Sequence, residues 1–233
     1  MANREKMPSE TVQLSFDLPV VSALGANDFF VSSSNSNAME MIRQWQNWHG
    51  GKLLLVGPEG SGKTHLANIW ATMAEATVID ADNLFDADIP ALAAKNVAIE
   101  NCSAIAGQTG LEESLLHLHN FAIAQNRSLL LTSRVSPARS QFSLPDLASR
   151  MEGMVAAAIK PPDDELLKAV ITKLFADRQI SPAPEVVPYL IRRIERSFKS
   201  AQKTVALLDA AALEQRRSIT RDFAGKTMDK ANF

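Results

Sequence analysis

The chain has 233 residues, of which 46% are hydrophobic and 21% charged, with a formal net charge of −2. A domain of that size and composition buries roughly 70–75% of its unfolded surface and needs no covalent staples. Its longest apolar runs, such as Leu53-Leu54-Leu55-Val56, fall far short of the ~18 residues of a membrane helix; its single cysteine, Cys102, excludes a disulfide framework or Cys-rich zinc site; and its slight acidity argues against a nucleic-acid footprint over the whole protein.

Residues 1–12 are polar and aperiodic, the pattern of a mobile tail. Gln13-Leu14-Ser15-Phe16-Asp17-Leu18-Pro19 then inserts three large apolar side chains. No apolar signal-peptide core precedes it, so the expected location is cytoplasmic. Residues 27–36 read as a serine-rich loop, and 38–48 carry Met41, Ile42, Trp45 and Trp48 at helical spacing. Short apolar runs at 52–56, 77–80, 97–100, 128–132 and 154–159 then alternate with helical stretches at 64–74, 89–94 and 110–125. This alternation predicts an α/β fold with a parallel five-stranded sheet flanked by helices. The all-apolar run at 53–56 suits a strand buried on both faces.

The character changes at Pro161-Pro162. Asp163-Asp164-Glu165 supplies an acidic first turn, which suits the positive end of a helix dipole. Helices are expected over 163–177, 184–194, 199–216 and 219–228. The predicted organisation is a tail at 1–20, an α/β domain at 21–160 and a small all-helical domain at 161–233. From Arg192 to the end, ten Lys/Arg face five Asp/Glu, a net of +5 against −7 elsewhere. That imbalance fits a solvated helical face, with an acidic partner or nucleic acid as the alternative.

Gly57-Pro58-Glu59-Gly60-Ser61-Gly62-Lys63-Thr64 matches the phosphate-loop pattern G-x-x-x-x-G-K-[ST] without a mismatch. A predicted strand feeds it and a predicted helix leaves it. The glycines let backbone N–H groups turn inward around a phosphate, and the helix N-terminus adds partial positive charge. In that pattern Lys63 reaches the β/γ-phosphates and the Thr64 hydroxyl holds Mg²⁺. A hydrolase also needs a carboxylate near the metal and a base for water. Glu100, at the end of the 97–100 strand, is either that carboxylate or an ordinary strand-end acid. Asn101 follows where a base would stand, and an amide cannot accept a proton at neutral pH, a loss of roughly 10²–10⁴-fold. Thr132 and Ser133 end the next strand, either facing a terminal phosphate or capping the strand. Cys102 reads as a buried small residue. His49, His65, His117 and His119 have no metal-ligand spacing.

With these residues in order, the chain from about Asn27 onward resembles the AAA+ module of the bacterial replication initiator DnaA. The resemblance runs through Asn27-Asp28-Phe29-Phe30-Val31, the phosphate loop with His65-Leu66, and Glu100-Asn101 with Ile105-Ala106-Gly107. It continues through Leu131-Thr132-Ser133, Leu147-Ala148-Ser149-Arg150 and Ile159-Lys160-Pro161-Pro162-Asp163. It implies a P-loop AAA+ module followed by a helical lid. Gln13–Pro19 resembles the short motif that binds the replicative sliding clamp. No room remains after the lid for the initiator's DNA-binding domain, and the combination is similar to the Hda-type regulatory inactivators of DnaA.

By that resemblance, Phe30 and Val31 pack near adenine. Gly57, Pro58, Gly60, Ser61, Gly62, Lys63, Thr64 and His65 hold the nucleotide. Glu100 stands at the Walker B position, helping Thr64 hold Mg through the nucleotide. Thr132 and Ser133 fall at the first sensor and Lys199 at the second. Arg150 is the finger offered in trans to ATP bound by DnaA; otherwise it is a surface arginine paired with Asp146 or Glu152, and the finger is Arg134 or Arg139. Gln13, Leu14, Phe16 and Leu18 engage the clamp, or pack on the chain's own body. Glu100 and Lys199 replace the family's Asp and Arg, and Lys loses the bidentate fork. Both departures imply a nucleotide (ADP or ATP, ADP above all) held for conformation rather than turned over. The expected partners are DnaA, the clamp, DNA through the clamp and a possible second copy of the chain, with no membrane. The competing readings are a self-sufficient AAA+ ATPase acting as a loader or remodeller, which Asn101 disfavours, and a small-molecule kinase, which the lid and Arg150 disfavour.

Overall fold

A computed structural model describes residues 30–231. The heptapeptide at 13–19 lies outside them. Five strands form one parallel sheet: β1 (Lys52–Val56), β2 (Thr77–Asp80), β3 (Val97–Glu100), β4 (Leu129–Ser133) and β5 (Ala156–Ala158), in the order β2-β3-β4-β1-β5. Leu53, Leu54 and Leu55 are fully buried, as are Leu129, Leu130 and Leu131. Alternation divides them between two faces. Leu53, Leu55, Ala98 and Leu130 join α1 (Ser36–Arg43) and α2 (Lys63–Ala74) in one core. Leu54, Ile99, Leu129 and Leu131 join α3 (Ile89–Ala93), α4 (Thr109–Ala124) and α5 (Pro145–Glu152) in the other. Each such side chain contributes about 1.5–3 kcal/mol when fully buried, so central strands with no polar side are what hold the sheet between two helical layers.

The first expected helix, 38–48, is shorter in fact. Helix α1 starts at Ser36 and stops at Arg43, and residues 45–51 form two 3₁₀ turns. The tryptophans account for the break. The Trp48 indole N–H donates to the Met41 carbonyl at 2.7 Å. The Trp48 ring stacks on Trp70 at 5.2 Å, and Trp45 meets Trp70 edge-on at 6.4 Å. Aromatic burial thus outweighs continuation of the helix. The fifth strand is also shorter than the expected 154–159. The Met154 N–H is used to close α5 on Met151 at 3.2 Å, although Ile159 still donates to Val56 at 2.7 Å.

The last four helices are α6 (Asp164–Asp177), α7 (Val186–Arg193), α8 (Phe198–Gln215) and α9 (Arg221–Lys230). They enclose a core of their own, built on Leu167, Ile171, Phe175, Leu190, Val205 and Phe223. Side-chain oxygens cap three of them, each accepting from a backbone N–H of the first turn. Asp163 accepts from Leu166, Ser197 from Ser200 and Thr220 from Phe223. Each cap stabilises its helix by about 0.5–2 kcal/mol.

One buried acid shapes the region leading to Arg150. Glu112 on α4 is fully buried and accepts from the N–H groups of Gly107 (2.7 Å), Ser143 (2.9 Å) and Leu144 (2.8 Å). Three backbone donors satisfy a buried carboxyl group that would otherwise be costly inside a protein, and they fix the loop after β3 against the entry to α5. Among the described residues, no helix is long and apolar enough to cross a membrane.

Candidate functional site

Parallel pairing brings the strand ends to one edge. Asp80 pairs with Glu100, Leu55 with Thr132, and Val56 with Ser133. The phosphate loop leaves β1 at that edge, where ligands of open α/β sheets bind. Gly60 (φ 72°) and Gly62 (φ 99°) adopt the left-handed region, and Gly62 is the N-cap of α2. A side chain at Gly57 would lie 2.6 Å from the Ile159 carbonyl oxygen, and one at Gly60 would lie 2.7 Å from Ser197. The loop is therefore closely clasped by β5 and by the start of α8. The Phe198 N–H strengthens the clasp by donating to the Gly60 carbonyl at 2.8 Å.

The Lys63 ammonium donates to the carbonyls of Gly57 (2.7 Å) and Pro58 (2.8 Å). Burial lowers its pKa, as does the charge of Arg134; Glu100 and Glu59 oppose them. The Ser61 hydroxyl is buried with no hydrogen-bond partner. An orphaned hydroxyl, a lysine folded over loop carbonyls and glycines with no space for a Cβ are the features of a cradle that takes a phosphate. The residues present fit a nucleotide.

A cavity of about 660 Å³ opens beside the loop. Gly60, Gly62, Lys63, Thr64 and His65 form its floor. Leu166, Val170, Leu174 and Phe198 of the helical region supply an apolar wall suited to a base, and Phe30 stands at the rim. Lys199, Arg134 and Asn101 border the same space. Of the expected site residues, Val31, Gly57, Pro58, Ser61, Glu100 and Thr132 stand outside its lining. Phe30 and Val31 are 41% and 51% exposed.

Asn101 has φ 59° and its amide donates to Asp80 Oδ2 at 2.5 Å. Its backbone N–H donates to the Thr132 hydroxyl at 3.0 Å. The residue beside Glu100 is thus pinned between β2 and β4, and its side chain offers no proton acceptor of carboxylate strength. Burial pushes the Cys102 thiol up to about 12, so at neutral pH it is an uncharged core residue, as the sequence suggests.

Two groups that sequence reasoning did not place at the site are Glu59 and Arg134. The Lys199 ammonium donates to the Glu59 carboxylate, and Arg134 pairs with the same carboxylate at 3.2 Å. Arg134, an alternative finger on sequence grounds, therefore belongs to this chain's own phosphate region. The only sequence signal for Glu59 was its place among the variable loop positions.

Arg150 lies elsewhere. With Lys52, Asp146, Ser149 and Gly153 it lines a separate cavity of about 300 Å³. Lys52 starts β1 and the phosphate loop follows its end, so ~13 Å of strand separates the two sites. Arg150 is exposed and forms no ion pair among the described residues, Asp146 and Glu152 included.

His119 sits behind this cavity, 3.3 Å from the Lys52 ammonium and 3.4 Å from the Asn120 amide oxygen. Burial, followed by the Lys52 charge, pushes its pKa down from 6.5 to about 4. The unfolded chain takes up this proton below pH 6.5 and the folded chain only near pH 4. Stability is thus expected to fall as pH drops from about 6.5 to 4, by an amount on the order of 1–3 kcal/mol. Urea unfolding at pH 7 and pH 4.5 checks this, with His119→Gln expected to show a smaller difference than the wild type.

No protein-family model matches the chain. A curated relative, the chromosomal replication initiator protein DnaA of Flavobacterium psychrophilum, is 24% identical over 242 residues, covering 92% of this chain and 51% of the relative. The chain thus spans about half the length of that relative. Among solved structures, domain III of the Thermotoga maritima replication initiation protein DnaA superposes with a TM-score of 0.78 at 18% identity, covering 91% of this chain and 98% of that one. AMPPCP-bound DnaA from Aquifex aeolicus gives 0.68 at 17% identity, covering 82% and 66%. In sequence, then, this chain is similar to DnaA, and its five-stranded parallel sheet with flanking helices superposes on domain III of that protein.

Proposed function

We propose that the chain is a DnaA-related adaptor that holds an adenine nucleotide, ADP above all, and promotes hydrolysis of ATP bound to DnaA, which restrains initiation of replication. The observation that carries this reading is the separation of the two cationic sites. The phosphate cradle lies at one end of β1 with Asn101 in place of a base, and Arg150 lies exposed at the other end. A site so arranged holds its own nucleotide and offers a guanidinium outward. In the nucleotide-bound chain, Thr64 and Glu100 hold Mg²⁺, Phe30 and Val31 flank the base, and Thr132 and Lys199 report on the phosphates. The likeness to AMPPCP-bound DnaA supports an adenine nucleotide.

The tail supplies the second contact. Gln13 presents an amide and Leu14, Phe16 and Leu18 fill an apolar groove on the sliding clamp, so that DNA is reached through the clamp in the cytoplasm. A single contact through one short motif is modest in affinity unless it is multivalent. The test is capture of the purified clamp by the full chain. Gln13→Ala combined with Leu14→Ala is expected to abolish capture with the melting temperature nearly unchanged. Preserved capture with a large loss of stability would assign these side chains to the chain's own body.

A further inference from the structure

Glu59 is an acid within the phosphate loop itself, and the loop pattern does not call for it. In P-loops the position contributes backbone, and its side chain has no assigned role. Here its carboxylate joins two cations that line the cavity. Lys199 comes from α8 and Arg134 follows β4, and both line the same space as Lys63. The arrangement is set by backbone: the Phe198 N–H to Gly60 carbonyl bond fixes Lys199 one residue away from the contact, just as Gly60 fixes Glu59. The Lys199 contact and the Arg134 charge hold the Glu59 carboxyl below its ordinary range, so it is ionised at neutral pH.

We infer that Glu59 is a specificity determinant that makes the site favour a nucleoside diphosphate over a triphosphate, a deeper account of the nucleotide site proposed above and resting on it. A terminal phosphate needs cations, and Lys199 and Arg134, which line the cavity with Lys63, share an internal carboxylate that removes one of their two positive charges. A triphosphate must displace Glu59 from Lys199 and Arg134 or sit beside it, anion against anion. A diphosphate, ending at the loop amides and Lys63, meets no such competition. The ion pairs themselves are exposed and weak, as surface pairs are; what discriminates is the extra like charge placed at the cations a triphosphate would use.

The test is equilibrium titration of the full chain with MgADP and with the non-hydrolysable MgAMPPCP, in the wild type, Glu59→Gln and Glu59→Ala. The wild type is expected to favour the diphosphate by about tenfold, equivalent to about 1.4 kcal/mol. Both variants are expected to bind AMPPCP about tenfold tighter while ADP affinity moves less than about threefold. An unchanged affinity ratio in Glu59→Gln overturns the inference and leaves the nucleotide site standing, as does a wild-type preference for the triphosphate. A change in Glu59→Ala alone also overturns it, because bulk rather than charge would then discriminate. Failure of all three chains to bind either nucleotide overturns the nucleotide site itself, and the inference falls with it.

Discussion

Arg150→Ala is expected to fold, to bind nucleotide and clamp as the wild type does, and to lose stimulation of DnaA-bound ATP hydrolysis. A guanidinium delivered to a terminal phosphate stabilises charge that develops in the transition state, and such fingers contribute about 10³–10⁵ in rate in well-studied GTPases. The physical basis lies in where α5 puts the side chain. Arg150 is exposed in the last turn of α5, beside Lys52 at the start of β1. Its own phosphate loop is at the far end of that strand, so Arg150 acts on a neighbour if it acts on any phosphate. Glu112 fixes the entry to α5 through Ser143 and Leu144, which limits the freedom of the helix that presents it. Arg150→Lys is expected to fail substantially as well, because a point charge cannot replace the planar fork. The measurement is single-turnover hydrolysis of labelled ATP on DnaA with clamp-loaded DNA. Wild-type stimulation by Arg150→Ala would remove the finger assignment and move attention to Arg139, since Arg134 is engaged by Glu59.

Lys63→Ala carries the second large expected effect. Truncating one partner of a buried, hydrogen-bonded charge pair costs about 2–5 kcal/mol, roughly 30-fold to several thousand-fold in affinity. The variant is therefore expected to purify without nucleotide. In the ligand-free fold the ammonium is used by the carbonyls of Gly57 and Pro58, so the loop also loses two internal bonds. The bond to Gly57 is buried and the bond to Pro58 partly so, so a lower melting temperature is expected alongside the loss of nucleotide. Stoichiometric nucleotide in purified Lys63→Ala would show that the site has been misplaced.

The sheet was legible because its central strands carry short, wholly apolar runs. Leu53-Leu54-Leu55 and Leu129-Leu130-Leu131 have no polar face, and that pattern fits a parallel sheet covered on both sides. The phosphate loop was legible because its glycines are demanded by backbone geometry at fixed spacing. The ends of elements were less so. Trp45 and Trp48 have helical spacing, but their rings are claimed by Trp70, a tertiary contact that no local window contains. The pairing of Glu59 with Lys199 spans 140 positions in the chain, and the anchoring of Asn101 by Asp80 spans 21. Both depend on the strand order β2-β3-β4-β1-β5 and on the clasp of α8 over the loop. Alternation predicts that a sheet forms, and folding alone decides which strand ends become neighbours.

Action on the nucleotide of DnaA, rather than on the chain's own, is read by loading DnaA with labelled ATP and following conversion to ADP with the full chain and clamp-loaded DNA, added separately and together. Fast conversion on DnaA is expected only when both are present, with negligible turnover by the chain alone. Unchanged decay of DnaA-bound ATP, together with hydrolysis by the isolated chain in the common enzyme range of ~1–10³ s⁻¹, would contradict that expectation.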